Sequence, residues 1–296
     1  MNKLKNKTSG ILVYSDYKKK SYRILYWVMF SILLIISLIF VFPIIWLFFS
    51  SFKTPIELYQ VPFSLLPEKF DFAKITNVWT SLQLGRYFLN SLIVVIGATI
   101  VSIVFNGILA YTISIRKPVG YKIILGLIMG SLMIPAILSM GPLFNNIVKL
   151  GLINSYLPLM LVFGANPFYF VLFKTYFDTL PISLIEAAKL DGCNDFQVFT
   201  KVVIPLSRPI VSVVAIFTIN AAWCDFLLPY LVLRDDVKQT IMVKIFLLQS
   251  NMGTSMQFGP DTLLMLLMLS IIPPVILFFI FQKQIMNITM AAGLKE

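Results

Sequence analysis

Chemistry needs nucleophiles, titratable groups or ligand clusters held together, and this chain offers few. It contains no His, which removes imidazole bases, His metal ligands and His proton relays. Its two Cys, Cys193 and Cys224, have no paired spacing, so neither a disulfide framework nor a Cys-rich metal site is implied. No G-x-x-x-x-G-K-[ST] run occurs, so there is no P-loop to cradle a nucleotide's phosphates. With no paired intramembrane carboxylates and no Cys beside a base, no catalytic constellation can be assembled. No metal site and no cofactor are expected in this chain. Two groups of residues remain. One is a scatter of polar and aromatic side chains in apolar surroundings: Asn166, Tyr169, Asn220, Trp223 and Asp225. Hydrogen-bonding groups beside aromatic faces suit a polar path for a sugar, although Asn inside a helix bundle also bonds helix to helix. The other is a mixed-charge island, EAAKLDGCNDFQVFTKVVIPLSRP, at residues 186–209.

The elements that must position these residues are membrane helices. The chain is 58% hydrophobic and 12% charged, about half the charged fraction of a soluble domain, and its apolar residues come in long blocks. Charge-poor stretches place spans near Ile24–Phe49, Tyr87–Ile115, Ile123–Leu143, Tyr156–Phe173, Ile210–Leu233 and Thr262–Phe281. About 20 apolar residues cross a bilayer, and in lipid each span must be a helix because its backbone finds no water. The first block follows a basic segment, runs uncharged to Phe52 and has no small-x-small site after it, so it reads as an uncleaved span and not as a signal peptide. The prolines in and near the spans read as kinks. Gly97, Asn106 and Gly107 read as close helix packing. The fold class expected is an all-α integral membrane protein with six transmembrane helices and both termini cytoplasmic. The divisions are a basic N-tail at 1–23, a first span and outer loop at 24–86, a five-helix core at 87–283 and a C-tail at 284–296.

Charge supports that orientation. With the amino terminus inside, two-thirds of the 24 Lys and Arg fall in the inside segments, as the positive-inside rule requires. The net charge of +11 therefore reports orientation and contact with anionic lipid, not nucleic acid. Asp225 sits ~15 residues past the inner end of its span, about 22 Å along the helix. An acid within a span costs roughly 2.5–3.5 kcal/mol at the centre and less near the interface. Its two readings are a gate or vestibule group and a structural hydrogen bond.

The island falls in the inside loop between spans four and five, at about 177–209. Ser183 and Glu186 have the spacing of a capping box, so a short helix is expected to start there. Gly192 suits the left-handed position that stops it. Asn194 can cap a second helix running through Phe196, Phe199 and Val203 until Pro205 ends it. Phe196 and Phe199 can rest on the bundle. The result is a helix–turn–helix across the membrane surface, which is either a docking element for a partner or an amphipathic loop resting on its own bundle.

The residues of this loop resemble a known family. Glu186-Ala187-Ala188, three residues, Gly192, nine residues, then Val202-x-Ile204-Pro205 is similar to the EAA loop of inner-membrane permease subunits of binding-protein-dependent ABC importers. The usual ending is I-x-L-P, so Val202 and Ile204 are conservative departures. Tyr87-Phe88-Leu89-Asn90-Ser91-Leu92 resembles the F-x-N-S-L opening of the family's core. Trp223-Cys224-Asp225-Phe226 and Pro229 resemble the W-N-[DE]-F-x-x-P of the carbohydrate (maltose-type) subfamily, with Cys224 where Asn is usual. Ile288 to Glu296 resembles its Gly-rich tail, with Asn287 in place of a usual Gly.

The resemblance implies a type I importer permease that carries a sugar or oligosaccharide. In that reading Glu186, Ala187, Ala188, Asp191 and Gly192 dock a cytosolic ATPase dimer, which holds the ATP and Mg. Thr289–Glu296 touches that dimer as well, and the loop between Arg234 and Asp261 contacts an extracytoplasmic binding protein. A second, non-identical permease completes the pore, in a bacterial or archaeal plasma membrane. Two alternatives remain at this level: the same importer with a polyamine, peptide or phosphorylated-sugar cargo, and a stand-alone ion-coupled transporter. The second needs titratable coupling groups, and Asp225 is the only clear one.

Overall fold

A computed structural model describes residues 20–250 and 258–293; the basic tail before Lys20, part of the loop after Ser250 and the last three residues of the C-tail lie outside the described residues. The chain divides into two compact units, Met1–Asp71 and Phe72–Glu296. In the first, helix α1 (Lys20–Ser51) is apolar on all sides, which in a chain this oily suits a membrane span. It is followed by a short helix α2 (Pro55–Tyr59), capped by the Thr54 hydroxyl on the N–H of Glu57. The aromatic rings of Phe49, Phe52 and Phe70 close the turn after α1.

The second unit holds the other helices. They are α3 (Ala73–Ser81), α4 (Leu84–Arg116), α5 (Tyr121–Ser131), α6 (Ala136–Lys149), α7 (Leu157–Ala165) and α8 (Pro167–Phe177). After them come α9 (Ile182–Leu190), α10 (Asp195–Leu206), α11 (Arg208–Cys224), α12 (Leu227–Val232), α13 (Ile241–Ser250) and α14 (Pro260–Gly293). Among the described residues the structure is helical throughout, with no strand.

Three helices are long and apolar enough to cross a membrane: Ile24–Ser51, Leu84–Arg116 and Pro260–Gln282. Three bent pairs raise the number to six if each pair is one span: α5 with α6 at 107°, α7 with α8 at 45°, and α10 with α11 at 84°. These regions overlap the six expected from sequence, but several are not straight, and the pair at the fifth includes α10 (Asp195–Leu206), which was expected in the connector. The third breaks between Ser131 and Ala136 at Pro135, whose extended ψ of 127° cannot continue a helix. The fifth was expected to run unbroken from Ile210 to Leu233; it ends at Cys224, because Asp225 takes an extended conformation (ψ 124°).

Breaks at membrane depth free backbone groups that lipid cannot satisfy. The break between α7 and α8 shows how this is met. Asn166 caps α8, its Oδ1 accepting from the N–H groups of Phe168 and Tyr169 at 3.0 and 3.2 Å. From α4, Asn106 reaches into the break. Its Nδ2 donates to the carbonyl of Phe163 at 2.8 Å, and its Oδ1 accepts from the N–H of Asn166 at 3.2 Å. Asn106 is therefore more than close packing; it is the polar clip that makes the break tolerable. It sits in a π-helical turn, Ser102–Asn106, and a second such turn, Thr112–Arg116, ends α4.

The main core lies between α4, α8, α10 and α11, with Tyr111, Phe170, Phe173, Val198, Phe199 and Val214 at its centre. A smaller one gathers Val94, Ile147, Leu159, Leu228 and Val232 from α4, α6, α7 and α12.

Candidate functional site

The connector between α8 and α11 is built largely by local rules. Helix α9 ends in a complete Schellman motif. The N–H of Gly192 donates to the carbonyl of Lys189 and that of Cys193 to the carbonyl of Ala188, each at 3.0 Å. Gly192 carries the required left-handed φ of +85°. Two residues later a capping box starts α10: Asn194 Oδ1 accepts from the N–H of Gln197, and Gln197 Oε1 accepts from the N–H of Asn194, both at 2.9 Å. The Asn194 cap was expected; its partner Gln197 was not, although Gln at the third position is the usual signature.

Three expectations for this connector are corrected. Ser183 and Glu186 form no capping box. Pro181, extended at ψ 119°, is the N-cap of α9. That places Ser183 inside the first turn, past the position from which a hydroxyl can cap. Pro205 does not end α10, which runs to Leu206. A π turn at Phe199–Val203 precedes it, and Pro205 then lies in the first turn of the segment Ile204–Leu206, where a missing N–H costs nothing. The chain bends instead at Ser207, whose N–H donates to Val203 and Ile204. Finally, Phe196 does not rest on the bundle: it is 67% exposed, while Phe199 is 6% exposed.

The two faces of α9 are now clear. Ile185 and Ala188 point into the main core. Glu186, Ala187, Asp191 and Gly192 are exposed, and so are the apolar Ile182, Leu190 and Phe196. Ala188, expected on the docking surface, packs against the chain's own bundle. Asp195 pairs with Arg116 at the end of α4 (3.0 Å) and with Lys189 of α9 (3.7 Å). The connector is thus a capped unit with one face fixed to the bundle and a charged and apolar face left open.

The proposed polar path is only partly assembled. Asn220 and Trp223 line a groove of about 210 Å³ between α11 and α14, with Phe217, Pro274 and Phe278 among its other walls. Trp223 is buried, its indole N–H donating to the carbonyl of Ser270 at 3.2 Å, so it braces α11 against α14. Asn166 caps a helix, as above, and Tyr169 is buried at 4% exposure in the main core. Phe168, next to it, meets Phe217 of the groove wall edge to face, with ring centroids 5.8 Å apart. Among the described residues no group of His, Cys, Asp or Glu could hold a metal ion.

Asp225 lies at the break after α11. Its carboxylate lies near the backbone N–H groups of Leu227 and Leu228, but the N-cap position of α12 is Phe226, where no side-chain cap bond forms. Asp225→Asn keeps the size and a carbonyl acceptor and removes the charge, so it is expected to change the thermal stability of the purified chain by about 0.5 kcal/mol or less. A fall in transport with Asp225→Asn at unchanged stability would assign the charge a part in transport.

Residues that sequence reasoning noted only as a motif turn out to hold the opposite end. Asn90 Nδ2 donates to the carbonyls of Val237 and Gln239, each at 2.9 Å, and Ser91 Oγ accepts from the N–H of Ile241 at 2.9 Å. The Tyr87 hydroxyl donates to Asp236 at 2.8 Å, and Arg86 pairs with the same carboxylate at 3.0 Å. Asn154 Oδ1 accepts from the N–H groups of Arg234 and Asp235 at 2.7 and 3.0 Å. The signal was present in the spacing of Tyr87, Asn90 and Ser91, but their partners lie some 150 residues away along the chain.

Comparison with known proteins accounts for both ends together. Residues 103–287 match the family described as binding-protein-dependent transport system inner membrane component. The diacetylchitobiose uptake system permease protein of Streptomyces coelicolor is 32% identical over 86% of this chain and 84% of its own length. An arabinooligosaccharides transport system permease protein of Bacillus subtilis is 30% identical over 88% of this chain and 93% of its own. In three dimensions the chain is similar to a subunit of a bacterial ABC transporter involved in the import of the acidic polysaccharide alginate. That likeness has a TM-score of 0.79 at 25% identity and covers 90% of this chain and 98% of the other. With the capped connector lying inside the matched region, the chain belongs to the family of inner-membrane components of binding-protein-dependent transport systems.

Proposed function

We propose that this chain is one of two translocation subunits of an ATP-driven importer of a sugar or oligosaccharide, and that α9 is where a cytosolic ATPase dimer pushes on it. The observation that carries the reading is the connector. Its helices are closed at the turn by a Schellman motif and a capping box. Its inner face is packed, and Glu186, Ala187, Asp191 and Gly192 are exposed beside Ile182 and Leu190. A rigid body with an open apolar and charged face suits a partner that delivers force. ATP and Mg then belong to that ATPase, since this sequence has no phosphate-binding loop.

The sugar cargo rests on the relatives, whose names refer to chitobiose derivatives and arabinooligosaccharides. The aromatic and amide groups of the α11–α14 groove are compatible with it. Orientation follows from charge: both termini and the connector are cytoplasmic, the side that holds most of the Lys and Arg. The pinned 234–241 segment, with the loop running to Asp261, then faces outward, where a binding protein can reach it.

The test is purification of the tagged chain from its native membrane in mild detergent, with co-purifying proteins identified by mass spectrometry. An ATPase and a second, different permease are expected, and a recovered binding protein can be screened for its ligand. An active chain recovered alone would overturn the importer reading in favour of a stand-alone transporter. A binding protein specific for a polyamine or peptide would keep the mechanism and change the cargo.

A further inference from the structure

We propose that Phe199 is a positioning residue for transport: seated on the Gly107–Tyr111 segment of α4, it makes the connector ride on α4, so that force applied to α9 moves that part of α4. The inference rests on the reading of α9 as the docking helix and concerns what happens to the force afterwards.

The connector is not a continuation of the helices that flank it. A turn at Thr179–Pro181 separates it from α8, and the 84° bend at Ser207 separates it from α11. Its attachment is lateral. Val198, Phe199 and Val203 are buried with Ala110, Tyr111 and Ile113 of α4. The rings of Phe199 and Tyr111 are 5.4 Å apart. A Cβ at Gly107 would lie 3.4 Å from Phe199 Cζ, so the ring tip rests where α4 has no side chain. The Asp195–Arg116 ion pair joins the same parts, but both side chains are more than a third exposed, and such a pair is worth little. The packed ring is the stronger tie.

The part of α4 that receives this contact can move as a piece. It lies between the π turns at Ser102–Asn106 and Thr112–Arg116, where the helical ladder is irregular. The first of these turns carries Asn106, clipped to the α7–α8 break. It also carries Ser102, whose Oγ accepts from the Thr218 hydroxyl of α11 at 3.0 Å. Thr218 is two residues from Asn220 in the groove. Displacement of the Gly107–Tyr111 segment is therefore handed to both broken spans. Spatial continuity alone does not establish coupling, so the test must read coupling.

The assembled importer is reconstituted in proteoliposomes, and uptake is measured per ATP hydrolysed. The wild-type chain comes first: absence of ATP-driven uptake there would sink the importer reading itself. With wild-type uptake in hand, Phe199→Ala is expected to lower uptake per ATP by about fivefold or more, within the usual range of coupling effects. Adding Gly107→Leu to Phe199→Ala refills the seat from the other side and is expected to recover most of the loss. If Phe199→Ala fails to assemble, Phe199→Leu keeps most of the volume and is expected to lower the ratio by less than Phe199→Ala would, measurably but below the about fivefold lower end of usual coupling effects. Less assembled complex with an unchanged ratio, for either single variant, would mean that Phe199 is only structural and would overturn the proposal. A double variant no better than Phe199→Ala would overturn the seat on Gly107.

Discussion

Glu186→Arg and Gly192→Trp are each expected to leave the chain folded and inserted while reducing ATP-driven uptake by at least about tenfold, or about 1.4 kcal/mol of lost coupling. Neither side chain holds the fold. Glu186 is exposed, and among the described residues it forms no ion pair. Substitutions at such positions change stability by about 0.5 kcal/mol or less. Gly192 is different in kind. A Cβ there meets nothing within 4 Å, so a side chain starts into open space. The φ of +85° costs a non-glycine residue about 1–2 kcal/mol, spent on one exposed turn. What both variants alter is the open face of α9: one reverses its charge, the other places a bulky ring at its end. Uptake of the cognate solute, immunoblotting of the membrane fraction and ATPase activity of the purified assembly measure the three consequences separately. Normal uptake at normal protein level in either variant would remove α9 from the docking role. Ala188→Trp is the internal contrast, since Ala188 faces the core and its enlargement should lower the amount of folded chain.

Much of this was legible in the sequence, and the parts that were not share a cause. The six apolar regions, the Gly192 stop and the Asn194 cap follow from local physics: hydrocarbon thickness, a left-handed turn and an orphan N–H. The misplacements occurred where proline acts in context. Pro181 begins α9 two residues earlier than Ser183 suggested, and Pro205 is absorbed after a π turn that the sequence did not announce. The exposed side of α9 could be listed from the motif, but Ala187 and Ala188 look alike in sequence and face opposite ways in the structure. The polar path was the least legible. Asn166 and Trp223 each have a structural partner close in sequence or across a helix pair. Composition does not distinguish a solute ligand from a brace for a broken helix; only the partner atoms do.

Asn106→Leu is expected to be the most damaging single change in the core, lowering the stability of the purified chain by about 2–4 kcal/mol. Asn106 is 1% exposed, and leucine keeps its branching and its number of side-chain heavy atoms, so no cavity explains the loss. What disappears is a pair of hydrogen bonds to backbone groups at the α7–α8 break, the carbonyl of Phe163 and the N–H of Asn166. Polar contacts between membrane helices average only about 0.6 kcal/mol, because the alternative state finds other partners. Here the freed groups are main-chain atoms at the kink of a span, where a backbone group has few other partners, so the larger cost of unsatisfied buried groups, about 1–3 kcal/mol each, applies. Thr218→Val provides the comparison. It removes the hydroxyl that donates to Ser102 from the same neighbourhood without touching the break, and a side-chain pair of that kind is worth about 0.5–1.5 kcal/mol. Thermal unfolding in detergent orders the two. If Asn106→Leu proved no more harmful than Thr218→Val, the break would be satisfying its own backbone, and Asn106 would revert to a packing residue.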